Sequence, residues 1–131
     1  MNRIYRILLI EDLPSDAYLV QREIKKILGQ CTFECVETRE NFLTSLCEFR
    51  PDLIFSDFCI PGFDWFTAFK LAGEQCPRTP FFIVTGSTNQ EIAADCIKKG
   101  VTDCISKLEL KKLGPAILKI IPALQRELQQ K

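Results

Sequence analysis

Short unbroken apolar runs alternate with stretches whose hydrophobic residues recur every three or four positions, and the alternation repeats five times along the chain. Arg6 to Ile10 is a continuous strand pattern that stops at Glu11-Asp12, and Pro14-Ser15 then opens a helical pattern through Ala17, Val20, Ile24 and Ile27. Gly29 ends that helix, because glycine readily takes the left-handed conformation that closes one. Cys31 to Val36 predicts a second strand, and Asn41 to Phe49 a short helix with Phe42, Leu46 and Phe49 on one face. Pro51-Asp52 breaks the chain before Leu53 to Ser56, a third buried-type strand that delivers Asp57 at its C-terminal end.

The second half follows the same rule. After the turn Pro61-Gly62 comes a helix from about Asp64 to Cys76, then a fourth strand over Phe81 to Val84 that leads into Thr85-Gly86-Ser87. A helix from about Asn89 stops at Gly100, and a weak fifth strand over Asp103 to Ser106 runs into Lys107. The last helix starts near Leu113, with Pro115 in its first turn, where the missing N–H costs nothing. Pro122 is interior and removes a hydrogen bond, so a kink or restart is expected there. The polar tail from Gln125 to Lys131 reads as a surface end or a connector to a further domain. Five such alternations predict one α/β domain over residues 1–131, a doubly wound parallel sheet covered on both faces.

Composition narrows the chemistry. The chain has no histidine, which removes imidazole acid–base catalysis and most zinc sites. Lysine plus arginine and aspartate plus glutamate both total 17, so no net charge draws the chain to nucleic acid or an anionic membrane. The seven cysteines include no CxxC pair and sit mostly in apolar stretches, so they read as reduced core thiols. The first apolar run is too short for a signal core or a membrane span, and a cytoplasmic location is expected.

In an open parallel sheet, ligands bind beyond the carboxyl ends of the strands. The residues that fall there are Glu11-Asp12, Asp57, Thr85 and Lys107, from strands one, three, four and five. Each alone has a bland explanation as a loop acid, a helix cap or a solvated lysine; four together in one small domain predict a shared site. Clustered carboxylates repel one another and need cations. Lys107 supplies one charge, and a hard divalent ion held by few oxygens, Mg²⁺ by preference, would supply the rest. Such a pocket suits phosphoryl transfer to the carboxylate of Asp57 as nucleophile. Thr85 would donate a hydroxyl hydrogen bond to a phosphoryl oxygen, Lys107 would pair with another, and small Gly86 would leave room for the group.

At this level of detail the chain resembles a known family. Ile7-Leu8-Leu9-Ile10-Glu11-Asp12, Ser56-Asp57 with Pro61-Gly62 and Asp64, Ile83-Val84-Thr85-Gly86 and Ile105-Ser106-Lys107 are similar, in order and spacing, to the receiver domains of bacterial response regulators. The resemblance covers nearly the whole chain and implies strand order 2-1-3-4-5. It implies phosphotransfer to Asp57 from a phosphohistidine on a sensor histidine kinase or phosphotransfer protein, with Mg²⁺ or Mn²⁺. Asp12 and Asp57 would ligate the ion directly, Glu11 through water, and Cys59 by its backbone carbonyl. Thr85 would shift toward the phosphoryl group and reset the surface of the fourth helix, fifth strand and last helix for a downstream effector or a missing output domain. Catalysis on an external substrate, direct nucleic-acid binding and membrane association are not expected.

Three positions depart from the family pattern. Cys104 stands three residues before the lysine, where an aromatic residue normally reports the switch. Leu108 follows Lys107 where the family has proline in a cis peptide, and a cis bond before a non-proline residue costs about 2.5 to 4 kcal/mol, so that loop is either trans or strained. Cys59 and Ser87 occupy positions that influence phosphoryl loss. Among rival readings, a nucleotide binder lacks the glycines its phosphate loop needs after the first strand. An aspartate-nucleophile phosphatase lacks the second acid at position 59. An interaction module whose output is uncoupled from phosphorylation remains the alternative function.

Overall fold

A computed structural model of the chain describes residues 4–86 and 90–129. Five parallel strands form one sheet, β1 (Tyr5–Ile10), β2 (Cys31–Val36), β3 (Leu53–Asp57), β4 (Phe81–Thr85) and β5 (Asp103–Ser106), in the order β2-β1-β3-β4-β5. Between and after them run α1 (Pro14–Leu28), α2 (Arg39–Glu48), α3 (Trp65–Gln75), α4 (Gln90–Lys98) and α5 (Leu113–Gln129). The alternation read from the sequence is therefore the architecture.

The apolar runs are continuous because both faces of the sheet are covered. Ile7, Leu9, Leu53, Phe55, Phe82 and Val84 point to the side where α1 and α5 pack. Leu8, Ile10, Ile54, Phe81 and Ile83 point to the side of α2, α3 and α4. Phe55 and Phe82, neighbours across β3 and β4, stack at 4.7 Å and tie the central strands together. Gly114 lets α5 approach α1, since a Cβ there would lie 3.0 Å from the side chain of Ile27.

Helix boundaries follow capping chemistry. Thr38 accepts a hydrogen bond from the Asn41 amide, so α2 begins two residues before the hydrophobic periodicity suggested. Asp64 does the same for Thr67, which makes it the cap of α3 instead of its first residue. Gly29 closes α1 at a φ of 76° and a ψ of −119°, a positive-φ conformation open to glycine though not the left-handed helical one.

Two expectations are corrected. Pro122 does not restart the last helix: α5 runs through it. The proline lies on the exposed face, so the Leu118 carbonyl it leaves unserved is on the water side, while buried Ile117 and Leu124 anchor the helix on either side. Lys107 to Lys112 form a 3₁₀ segment leading directly into α5, with an irregular Glu109 (φ −131°, ψ 47°). The peptide between Lys107 and Leu108 is trans. Finally, the cysteines are free thiols but only Cys96 is buried, and Cys35, Cys47 and Cys59 are exposed. The reason is geometric: β2 is an edge strand, Cys47 lies on the outer face of α2, and Cys59 is in a loop.

Candidate functional site

Strand register brings the four strand ends to one level. Ile10 pairs with Ser56, Asp57 with Val84, and Thr85 with Ser106. The residues that follow, Glu11 after β1 and Lys107 after β5, therefore emerge beside Asp57 and Thr85. The order reverses direction between β1 and β3, where the chain leaves toward opposite faces of the sheet and opens a crevice. Glu11, Asp12 and Asp57 stand at that crevice, with a carboxylate oxygen from each lying within 4.8 Å of the others.

Lys107 is the counter-charge. Its Nζ donates to Glu11 Oε1 at 2.7 Å, to Asp16 Oδ2 at 2.7 Å and to Asp57 Oδ2 at 3.2 Å. All four side chains are partly or wholly withdrawn from water, at 6% exposure for Glu11, 10% for Asp57, 15% for Lys107 and 28% for Asp16. Burial alone would push the ammonium of Lys107 down, but the hydrogen bonds to Asp16 and Glu11 and the charges of Asp57 and Glu11 outweigh it and hold the group above the usual lysine range. Burial pushes the Glu11 carboxyl up, and the neighbouring Asp57 charge adds to this, against the lowering effect of the Lys107 hydrogen bond.

Glu11 is engaged on both oxygens. Its Oε2 accepts from the amides of Asp12 and Leu13 at 3.1 and 3.2 Å, which fixes the turn into α1, where the capping position is a leucine with no side-chain cap to offer. Asp57 Oδ1 accepts from the Cys59 amide at 3.4 Å. Asp12, Asp57 and Cys59 line an open groove that continues over Pro61, Gly62 and Arg39.

Of the residues expected at the site, Glu11, Asp12, Asp57 and Lys107 converge. Thr85 is buried at the end of β4, and exposed Gly86 follows it. A Cβ at Gly86 would meet nothing within 4 Å, so that position is open with or without a methyl group. Cys104 sits on β5 opposite Ile83, half-buried, with Cys96 of α4 as its neighbour. Burial, aided by Cys96 and Asp103, pushes the Cys104 thiol up to about 12, so it stays protonated. Ser87 and the expected helix start at Asn89 lie outside the described residues.

Asp16 is the site residue that sequence reading missed. As an acid in the first turn of α1 it has an ordinary explanation, since negative charge is favoured at a helix N-terminus. The available signal was its position, one helical turn beyond Asp12 on the helix that leaves the crevice.

Four carboxylates facing one ammonium leave a negative pocket of hard oxygens, which fits a small divalent cation that retains water. No helix among the described residues is long and apolar enough to cross a membrane.

Comparison with known proteins agrees with the geometry. The description "Response regulator receiver domain" matches residues 7–117. The chain is 30% identical to the chemotaxis protein CheY of Listeria monocytogenes over 95 residues, covering 70% of this chain and 80% of that one. It is 26% identical over 98 residues to the DNA-binding transcriptional regulator NtrC of Proteus hauseri, covering 75% of this chain and 20% of NtrC. The signal receiver domain of a putative Luxo repressor protein from Vibrio parahaemolyticus superposes with a TM-score of 0.80 at 22% identity, covering 98% of each chain. With the strand order, the strand-end carboxylates and the matched span all in agreement, this chain belongs to the response regulator receiver domain family of two-component signalling systems.

Proposed function

We propose that the chain is a phosphorylation switch in which Asp57 accepts a phosphoryl group from the phosphohistidine of a sensor kinase or phosphotransfer protein, with Mg²⁺ or Mn²⁺ in the acidic pocket. Receiver domains as a family are phosphoacceptors, not conventional enzymes; they bind Mg²⁺ through an acidic pocket and pair with histidine kinases and output effectors. The observation that carries the reading is the single Lys107 ammonium reaching Asp57 and Glu11 from across the sheet, beside three oxygens spaced for one cation.

In the transfer, an Asp57 oxygen attacks phosphorus, the P–N bond to the donor imidazole breaks, and its electron pair leaves with the ring nitrogen. A bound ion supplies charge neutralisation for the transferring oxygens. Asp12 and Asp57 would hold that ion directly with the Cys59 carbonyl. Glu11, whose two oxygens are already engaged by Lys107 and the turn amides, is suited to act through water. Lys107 pairs with a phosphoryl oxygen, and Thr85, at the end of β4, donates to another. The domain is taken to span residues 1–131 and to work in the cytoplasm.

The output surface is assigned to α4, β5 and α5, where Ile97 and Leu118 are exposed apolar side chains. Its occupant is an effector protein or an attached output domain, and direct nucleic-acid contact is not proposed. A second reading, an interaction module uncoupled from phosphorylation, draws on Cys104. A half-buried thiol beside Cys96 offers no ring to swing between α4 and β5.

Incubation with a small acyl phosphate and Mg²⁺, followed by intact mass and peptide mapping, tests the main reading. Gain of one phosphoryl group on the peptide containing Asp57, absent with chelator and absent in Asp57→Asn, is expected. Modification elsewhere, or none, overturns it. Equal effector affinity for the two forms would favour the second reading.

A further inference from the structure

Lys107 has three N–H donors, and all three are used in the resting protein, on Glu11, Asp16 and Asp57. Two of the acceptors, Glu11 and Asp57, also belong to the carboxylate set that faces a single cation position. An ion bound there draws on the same two carboxylates that hold the lysine. Asp16 lies outside that set, on the first turn of α1, and its contact with Nζ at 2.7 Å is as short as that of Glu11. The Asp57 contact, at 3.2 Å, is the longest of the three and the one that a phosphoryl oxygen on the same side chain would replace.

From this arrangement we infer that Asp16 is a positioning residue for phosphotransfer: it anchors the Lys107 ammonium independently of the metal and keeps its third N–H aimed at Asp57. This rests on the phosphoacceptor reading of Asp57 and deepens it. A lysine is a flexible four-carbon stem ending in three rotatable donors, so its placement depends on its partners. Glu11 and Asp57 change their electrostatic environment when an ion or a phosphoryl group arrives; Asp16 does not share those oxygens. It also ties the start of α1 to the 3₁₀ segment that carries Lys107, which lacks the regularity of a longer helix to hold the residue in place. The ordinary role of a first-turn acid, favourable charge at a helix N-terminus, requires no particular partner, and the two roles separate by experiment.

The test compares wild type, Asp16→Ala, Asp16→Asn, Lys107→Ala and the Asp16→Ala/Lys107→Ala double variant. The first readout is the rate of Asp57 phosphorylation by a saturating small acyl phosphate with Mg²⁺. Asp16→Ala is expected to lower that rate about tenfold, as loss of an orienting partner typically does, with the half-saturating donor concentration little changed. Asp16→Asn, which keeps an oxygen acceptor, should recover most of the loss, and the double variant should match Lys107→Ala alone. The second readout needs no turnover: the ¹H–¹⁵N resonance of the Lys107 ammonium, protected from exchange in wild type with or without Mg²⁺, should be lost in Asp16→Ala.

An Asp16→Ala rate within about twofold of wild type, or a loss of the same size when Lys107 is already alanine, overturns the anchor. If wild type takes up no phosphoryl group, the reading of Asp57 falls instead, and the ammonium resonance alone decides whether Asp16 holds the lysine.

Discussion

Replacing Asp57 by asparagine removes one charge from a crowded pocket while keeping the shape and an oxygen acceptor. The carboxylate oxygens of Glu11, Asp12 and Asp57 lie within 4.8 Å of one another, and two unit charges at that separation repel by about 3 to 4 kcal/mol at an effective dielectric near 20. Against these two repulsions stands one attraction, to Lys107 at 3.2 Å, of about 5 kcal/mol on the same scale. Lys107 is not orphaned by the change, because Glu11 and Asp16 still hold it. Spreading each charge over two oxygens shrinks all of these figures. The expected net relief is about 1 to 2 kcal/mol, which for a domain of this size raises the melting temperature by about 3 to 8 °C. The assay is thermal unfolding by circular dichroism in chelator and again in Mg²⁺. With the ion present the variant's advantage should shrink, since an ion at a hundredfold excess over its Kd stabilises wild type by about 2.7 kcal/mol and the variant by less. A variant that melts at or below wild type in chelator would refute the clustered-charge account.

Other outcomes follow from the same structure. The Glu11 carboxyl is shifted upward in the folded state, so it binds its proton more readily there than in the unfolded chain. Its contribution is fully present below the ordinary glutamate value and fades as pH rises through the shifted one, so in chelator the stability of wild type relative to Glu11→Gln should grow as pH falls through that window. A difference that is flat with pH counts against it. In native protein at mildly alkaline pH, exposed Cys47 and Cys59 should alkylate first while buried Cys96 and its partner Cys104 resist until unfolding, as mass mapping over time will read. Pro122→Ala restores a missing hydrogen bond within a continuous α5 and should stabilise the fold, by at most about 3 kcal/mol and by less on the exposed face; denaturant midpoints that drop would show that the helix depends on the proline.

Much of this protein was legible without coordinates because its main signals are local or periodic. Unbroken runs such as Leu53 to Ser56 can be unbroken only where a sheet is covered on both sides, and an acid directly after such a run must emerge at the sheet's carboxyl edge. What the linear order could not supply was partnership across distance. That Asp16 faces Lys107, 91 positions away, depends on α1 and the 3₁₀ segment lying against each other, and the charge of Asp16 already had an ordinary explanation on its own helix. The restart expected at Pro122 failed for a related reason: a proline's cost depends on whether the carbonyl it abandons is buried or wet, and only packing of α5 against α1 decides which face of the helix that is. The exposure of Cys35 and Cys47 was settled by strand order and helix orientation in the same way. Residue type and spacing determined the elements and the chemistry at their ends; tertiary packing determined which charges meet, since electrostatic contacts form between surfaces that only the assembled sheet brings together.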